Sequence, residues 1–162
     1  SSGALVQDPY FKKNISGATK AGIKVGLYFF TQAVNEAEAV EEASMAMSLA
    51  SGYKVTYPIF IDTESASSGR ANGLSKSART AVVKAFCQTV RNGGYKAGVY
   101  ASKSWYANQL NASALNGYCI WVAQYNSSCT YSGKYDMWQY SSKGSVSGIK
   151  GNVDMNISYT GY

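Results

Sequence analysis

The sequence predicts an α/β fold: a parallel sheet curled into a barrel whose last part is irregular. Three observations carry this. Helical and strand patterns alternate along most of the 162 residues, as βα units with right-handed crossovers require. The strand patterns are continuous apolar runs, as in strands buried on both faces. Beyond residue 118, strand patterns follow one another with little helix between. The main rival, an open doubly wound sheet, would need a Gly-rich phosphate loop, and none is present.

The elements follow in order. Residues 8–20 read as a helix, with Phe11, Ile15 and Ala18 near helical spacing and Gly22 as its stop. Residues 23–30 form an apolar strand. Residues 35–50 form a helix capped by Asn35, with Glu38 three residues on; Ala39, Ala43, Met47 and Ala50 are its inward positions. Residues 55–61 form the next strand, and 65–74 are a Ser/Gly/Asn loop. A helix starts at Ser75 and runs to Gly93-Gly94, presenting Val82, Val83, Phe86 and Val90. Then come a strand at 95–100, a short helix at 103–110, and strands at 118–124, 135–140 and 153–157.

Composition narrows the function. Hydrophobic residues make up 46% and charged residues 15%, which fits a packed domain and argues against disorder. No apolar run approaches the roughly 18 residues that span a bilayer, so no membrane insertion is expected. No charged-then-apolar leader opens the sequence, so any export signal is expected to have been removed or to lie outside this sequence. There is no histidine, which excludes Ser-His-Asp and Cys-His catalysis and imidazole zinc sites. Cys87, Cys119 and Cys129 cannot make a four-thiolate site. No metal or cofactor is expected. The net charge of +6 favours anionic partners. Lys and Arg form no run, which speaks against nucleic acid; an anionic bacterial wall is another candidate partner, and the charge could equally serve solubility alone.

Carboxylates number nine, so each can be placed. Glu36, Glu38, Glu41 and Glu42 share one Ala-rich helix and read as a solvated face. Asp8 lies near the start. Asp62, Glu64, Asp136 and Asp154 sit in strand-like contexts, where an acid needs a reason. The run Tyr57-Pro58-Ile59-Phe60-Ile61-Asp62-Thr63-Glu64 ends in two acids one residue apart. Strand alternation points both the same way, at the carboxyl end where α/β barrels place their chemistry. Paired acids suit general acid/base work on a glycosidic bond. Asp62 could instead cap the following loop, and Asp154 could pair with a Lys. The chain has fourteen Tyr. Tyr28, Phe29, Tyr100, Trp121, Tyr125, Trp138 and Tyr140 cluster at strand ends; Phe29 and Trp138 suit the core, while rim Tyr and Trp suit sugar rings.

Six segments in order resemble the family 25 glycoside hydrolases, the muramidases (lysozymes) of bacterial peptidoglycan. They run from Gly22 to Phe30, Ile61 to Glu64, Gly94 to Tyr100, Ile120 to Tyr125, Trp138 to Gly144, and Gly148 to Asn156. The resemblance implies an irregular TIM-like (β/α)5β3 barrel and cleavage of the β-1,4 bond between N-acetylmuramic acid and N-acetylglucosamine. It implies Glu64 as general acid, Asp62 as transition-state or acetamido partner, and Asp154 as a further acidic wall. Tyr28, Tyr100 and Trp121 would line the groove, with Gln124 and Gln139 as hydrogen-bonding groups.

The family begins with two strands before the helix seen here at residue 8. Residues 1–162 are therefore expected to be a single catalytic domain, N-terminally truncated relative to the family, secreted or wall-associated. The alternative is a non-catalytic wall-binding or assembly module, with a second copy or a complementing chain covering the open barrel edge. A Cys119–Cys129 disulfide is expected to close the loop after the 118–124 strand, contributing roughly 2–3 kcal/mol. Cys87 is expected to act as a small hydrophobe.

Overall fold

Helix α1 spans Phe11–Lys20 in the structure, a computed structural model that describes residues 3–162. It begins later than the sequence suggests because Asp8 works ahead of it. The Asp8 carboxylate accepts from the Tyr10 N–H (2.8 Å) and its carbonyl from the Phe11 N–H (3.0 Å). Strand β1 (Val25–Phe30) leads to α2 (Glu36–Ala50) and β2 (Val55–Asp62). A single 3-10 turn, Arg70–Gly73, interrupts the expected 65–74 loop before α3 (Lys76–Asn92). Then come β3 (Ala97–Ser102), α4 (Lys103–Asn108), β4 (Cys119–Ala123), β5 (Met137–Gly144) and β6 (Val153–Ser158).

Local chemistry fixes the helix starts. Asn35, Ser75 and Ser102 each accept a backbone N–H three residues on, from Glu38 (2.9 Å), Ala78 (3.2 Å) and Trp105 (3.1 Å). Each satisfies one of the donors that a helix leaves unpaired at its first turn. Glu38 reaches back past the cap to accept from the Val34 N–H (3.0 Å).

The six strands form one sheet in sequence order, and β1 to β5 are parallel. Strand β6 runs antiparallel to β5; the 145–152 connection is too short for a crossover helix. The helices cover one face, where Ile59, Ile61, Val99 and Val122 meet Val83 and Phe86 in the core. The opposite, inner face carries Tyr28, Phe60, Asp62, Tyr100 and Trp121. The sheet curls enough that Tyr28 on β1 feels the charge of Asp154 on β6. Among the described residues it does not close, since β1 and β6 pair only with β2 and β5. This is a mixed α/β half-barrel, in keeping with an incomplete (β/α) barrel. No helix among the described residues is long and apolar enough to cross a membrane.

Two expectations need correction. Glu42 is not part of a solvated face: it is 5% exposed, and its carboxylate accepts from the Gln32 N–H (3.1 Å) just past β1. Helical spacing placed it beside Ala39 and Ala46, on the buried side of α2. The Cys119–Cys129 disulfide does not form, and both thiols are free. Alternation along β4 puts Cys119 on the inner face with Trp121, where its sulfur accepts from the Tyr162 hydroxyl (2.9 Å). Cys129 packs against the helix-side core. Cys87 is fully buried against α3's neighbours, as a small hydrophobe would be.

One glycine shapes the inner face. Gly98 on β3 lies beside Phe60, whose ring atoms would sit 2.3–2.4 Å from any added Cβ. Without a Cβ there, Phe60 can lie flat enough to support Trp121, with ring centroids 5.1 Å apart. Gly98→Ala should therefore overpack this layer and lower the chemical-denaturation stability by about 1–3 kcal/mol. An unchanged urea midpoint would show that the layer has slack.

Candidate active site

Strand β2 delivers the acids. Its inner positions are Phe60 and Asp62, while Ile59 and Ile61 face the helices. Register places Asp62 between Phe30 of β1 and Tyr100 of β3, and Tyr100 beside Trp121 of β4. Asp62 is thus 7% exposed at the sheet's carboxyl end, and its Oδ1 has no hydrogen-bond partner. Burial, helped by the charge of Glu64, pushes its pKa up to about 7. Glu64, two residues on, stands exposed at the rim. Partial desolvation and the charge of Asp154 raise its pKa as well. Asp154 comes from β6, which returns antiparallel and so brings its first residues to the same rim.

Aromatic rings flank the acids. Tyr28 is 67% exposed, and its hydroxyl pKa is raised by burial, then by Asp62, Asp8, Asp154 and Glu64. Tyr100 stacks edge-on against Trp121 at 4.8 Å, and its hydroxyl donates to Gln139 Oε1 (2.8 Å). Gln139 is buried and also accepts from the Tyr125 hydroxyl (2.9 Å). Trp121 Nε1 donates to Asn156 Oδ1 (2.9 Å).

The structure therefore brings together Asp62, Glu64, Asp154, Tyr28, Tyr100, Trp121 and Gln139. Gln124 neighbours them, its backbone N–H donating to the Gln139 carbonyl (3.1 Å). Its side chain closes its own loop with Thr130, donating to the hydroxyl (2.8 Å) and accepting from the N–H (2.9 Å). Asn156 was missed as a site group, and so was the bond from the Tyr125 hydroxyl to Gln139. Asn156 was findable, because it lies two residues past Asp154 on one strand and so shares its face. The Gln139–Tyr125 contact needs a loop path that no local pattern encodes. Asp136 accepts from the Ile120 N–H (2.9 Å) and serves the sheet, not the cleft.

Two concavities neighbour the site. One of about 450 Å³ lies on the inner face beneath Tyr28, Phe60 and Trp121. A larger groove, about 690 Å³, follows the free edge of β1 between α1 and α2, and none of the three acids lines it. The carboxylates that line it are Asp8 and Glu42.

The carboxyl of Asp62 has a testable energetic signature. Its folded pKa lies above its unfolded value near 4, so its ionised form works against folding. That penalty is absent below about pH 4 and complete above about pH 7, reaching on the order of 4 kcal/mol. Asp62→Asn should raise the urea midpoint at pH 8 and leave it close to unchanged at pH 4. A variant no more stable at pH 8 than at pH 4, relative to the parent, would contradict the buried-acid geometry.

The chain is similar to known proteins along nearly its whole length. The family model for glycosyl hydrolases family 25 matches residues 1–149. An autolytic lysozyme of Clostridium acetobutylicum is 28% identical over 155 residues, covering 95% of this chain and 45% of that protein. The uncharacterized protein YegX of Escherichia coli K12 is 28% identical over 163 residues, covering 96% of this chain and 55% of that one. The chain spans about half the length of these curated relatives. Among solved structures, a family 25 glycosyl hydrolase from Bacillus anthracis superposes with TM-score 0.81 at 26% identity, over 99% of this chain and 75% of that one. The catalytic domain of endolysin ply40 from bacteriophage P40 of Listeria monocytogenes gives 0.78 at 26% identity, over 96% and 77%.

Proposed function

Because the chain belongs to the glycosyl hydrolases of family 25, we propose that it hydrolyses bacterial peptidoglycan at the β-1,4 bond between N-acetylmuramic acid and N-acetylglucosamine. Residues 1–162 act as one catalytic domain, at the cell wall or outside the cell. The observation that carries this reading is the convergence of Asp62, Glu64 and Asp154 on one rim, each within electrostatic reach of Tyr28.

A glycosidic oxygen leaves poorly unless protonated, and the oxocarbenium-like transition state needs negative charge beside it. Glu64 is the exposed acid and so the one that reaches the leaving oxygen. Its raised pKa favours the protonated form that a general acid requires. Asp62 lies deeper and, when ionised, faces the positive ring or orients the acetamido group. Its carboxylate is dry, so its field acts with little screening. Asp154 extends the acidic wall. Tyr28, Tyr100 and Trp121 offer apolar ring faces with polar handles to successive sugars, and Gln139 holds Tyr100 in place.

The bare inner face favours a second reading. Tyr28 stands largely exposed, and among the described residues β1 and β6 each have a strand neighbour on one side only. A wall-binding or assembly module, its open edge covered by a second copy or a complementing chain, would use the same aromatics without turnover. Release of reducing ends from purified walls separates the two.

Glu64→Gln should lower wall-clearing activity by about 10²–10⁴-fold without lowering the melting temperature. Equal clearing by parent and variant would remove Glu64 from the acid role. The active pair holds one proton between two carboxyls, so kcat/KM should follow a bell against pH. Its alkaline limb should lie above the ordinary carboxylate range, because burial raises both groups. A profile still flat at pH 9 would exclude a carboxylic acid as the proton donor.

A further inference from the structure

Arg79 is a buried cation with no anion to justify it. Its side chain on α3 is 2% exposed, and among the described residues no carboxylate lies in ion-pair range. Its Nε has no hydrogen-bond partner. Burying such a group unpaired is unfavourable, and an apolar side chain of similar size would fill the space without that penalty. Stability of α3 therefore does not explain it.

Its contacts do. Nη2 donates to the carbonyls of Asn72 and Leu74, both at 3.3 Å, in the segment that follows the acid pair. The guanidinium also lies 4.8 Å from the Trp105 ring centroid. Two arms then run toward Glu64. Along the first, Trp105 Nε1 donates to Thr63 Oγ1 (3.3 Å), the residue before Glu64. Along the second, the Asn72 side chain grips the backbone of Ala66, two residues after Glu64. Its Nδ2 donates to the Ala66 carbonyl (2.7 Å) and its Oδ1 accepts the Ala66 N–H (3.2 Å). The outer side of the same segment is tied to α2 by the Arg70–Glu38 fork, at 2.9 and 3.0 Å.

We propose that Arg79 is a positioning residue that sets the place of Glu64, through Trp105 and Thr63 on one side and through Asn72 and Ala66 on the other. The proposal rests on the hydrolase reading for its consequence and on this contact chain for its geometry. A proton donor displaced by about 1 Å loses much of its rate while substrate binding elsewhere in the groove persists. Arg79 touches no substrate, so its loss should appear in kcat and not in KM.

The test compares the parent with Arg79→Met, Asn72→Ala and the double variant. Asn72 is exposed, so Asn72→Ala keeps the test decisive should Arg79→Met not fold. Amide exchange at Ala66 is followed by NMR, and kinetics are measured on purified cell walls. The expected result is at least tenfold faster exchange at Ala66, at least tenfold lower kcat, KM within twofold of the parent, and a double variant no worse than Arg79→Met alone. Exchange and kcat both within twofold of the parent in a folded variant would overturn the proposal, as would a rise in KM with kcat unchanged. If the parent itself releases no reducing ends, the hydrolase reading fails by itself. The positioning chain then stands or falls on exchange at Ala66.

Discussion

A carboxyl held dry at the end of a buried strand constrains everything around it. Asp62 sits where β2 finishes, between two neighbouring strands, with one oxygen lacking any partner. Strand alternation leaves it no other direction, because Ile59 and Ile61 commit the opposite face to the helical core. The ionised form is therefore disfavoured, and Glu64 beside it makes a second charge harder still. A pair that prefers to keep one proton near neutrality suits glycosidic cleavage, and it arises in a sequence without histidine.

The rest of the molecule reads as support for that pair. The first four parallel strands bring Tyr28, Asp62, Tyr100 and Trp121 to one end, and the antiparallel return of β6 adds Asp154 and Asn156. Gly98 leaves room for Phe60, which backs Trp121. The segment after Glu64 has no regular structure beyond one 3-10 turn. It is instead fastened by side chains: Asn72 to Ala66, Arg79 to two carbonyls, and Arg70 to Glu38. Side-chain fastening of an irregular loop is what a rim position demands, since a regular element there would bury the acid.

Much of this was legible in the sequence because it is local. The apolar run ending at Asp62 and Glu64 announces a buried strand with acids at its tip, and Asn35 and Ser75 announce helix starts. Position along β6 places Asp154. What failed was non-local or depended on facing. Glu42 looked solvated by company with Glu36, Glu38 and Glu41, yet its place on the helix wheel put it inside. Cys119 and Cys129 looked bridgeable by spacing, yet the sheet lies between them. Gln124 reads as a groove amide, and only the path of its loop shows that its side chain also ties to Thr130. Arg79 sits unremarked within an ordinary helical pattern, because a charge buried by tertiary contacts leaves no periodic trace.

The most direct measurement is a carbon-detected NMR titration of the Asp62 and Glu64 carboxyls in the unmodified protein. The account requires both to titrate above the usual carboxylate range, as a coupled pair whose upper step lies near pH 7. Two independent transitions near pH 4 would mean that the acids are solvated and uncoupled, and the proposed chemistry would lose its proton donor.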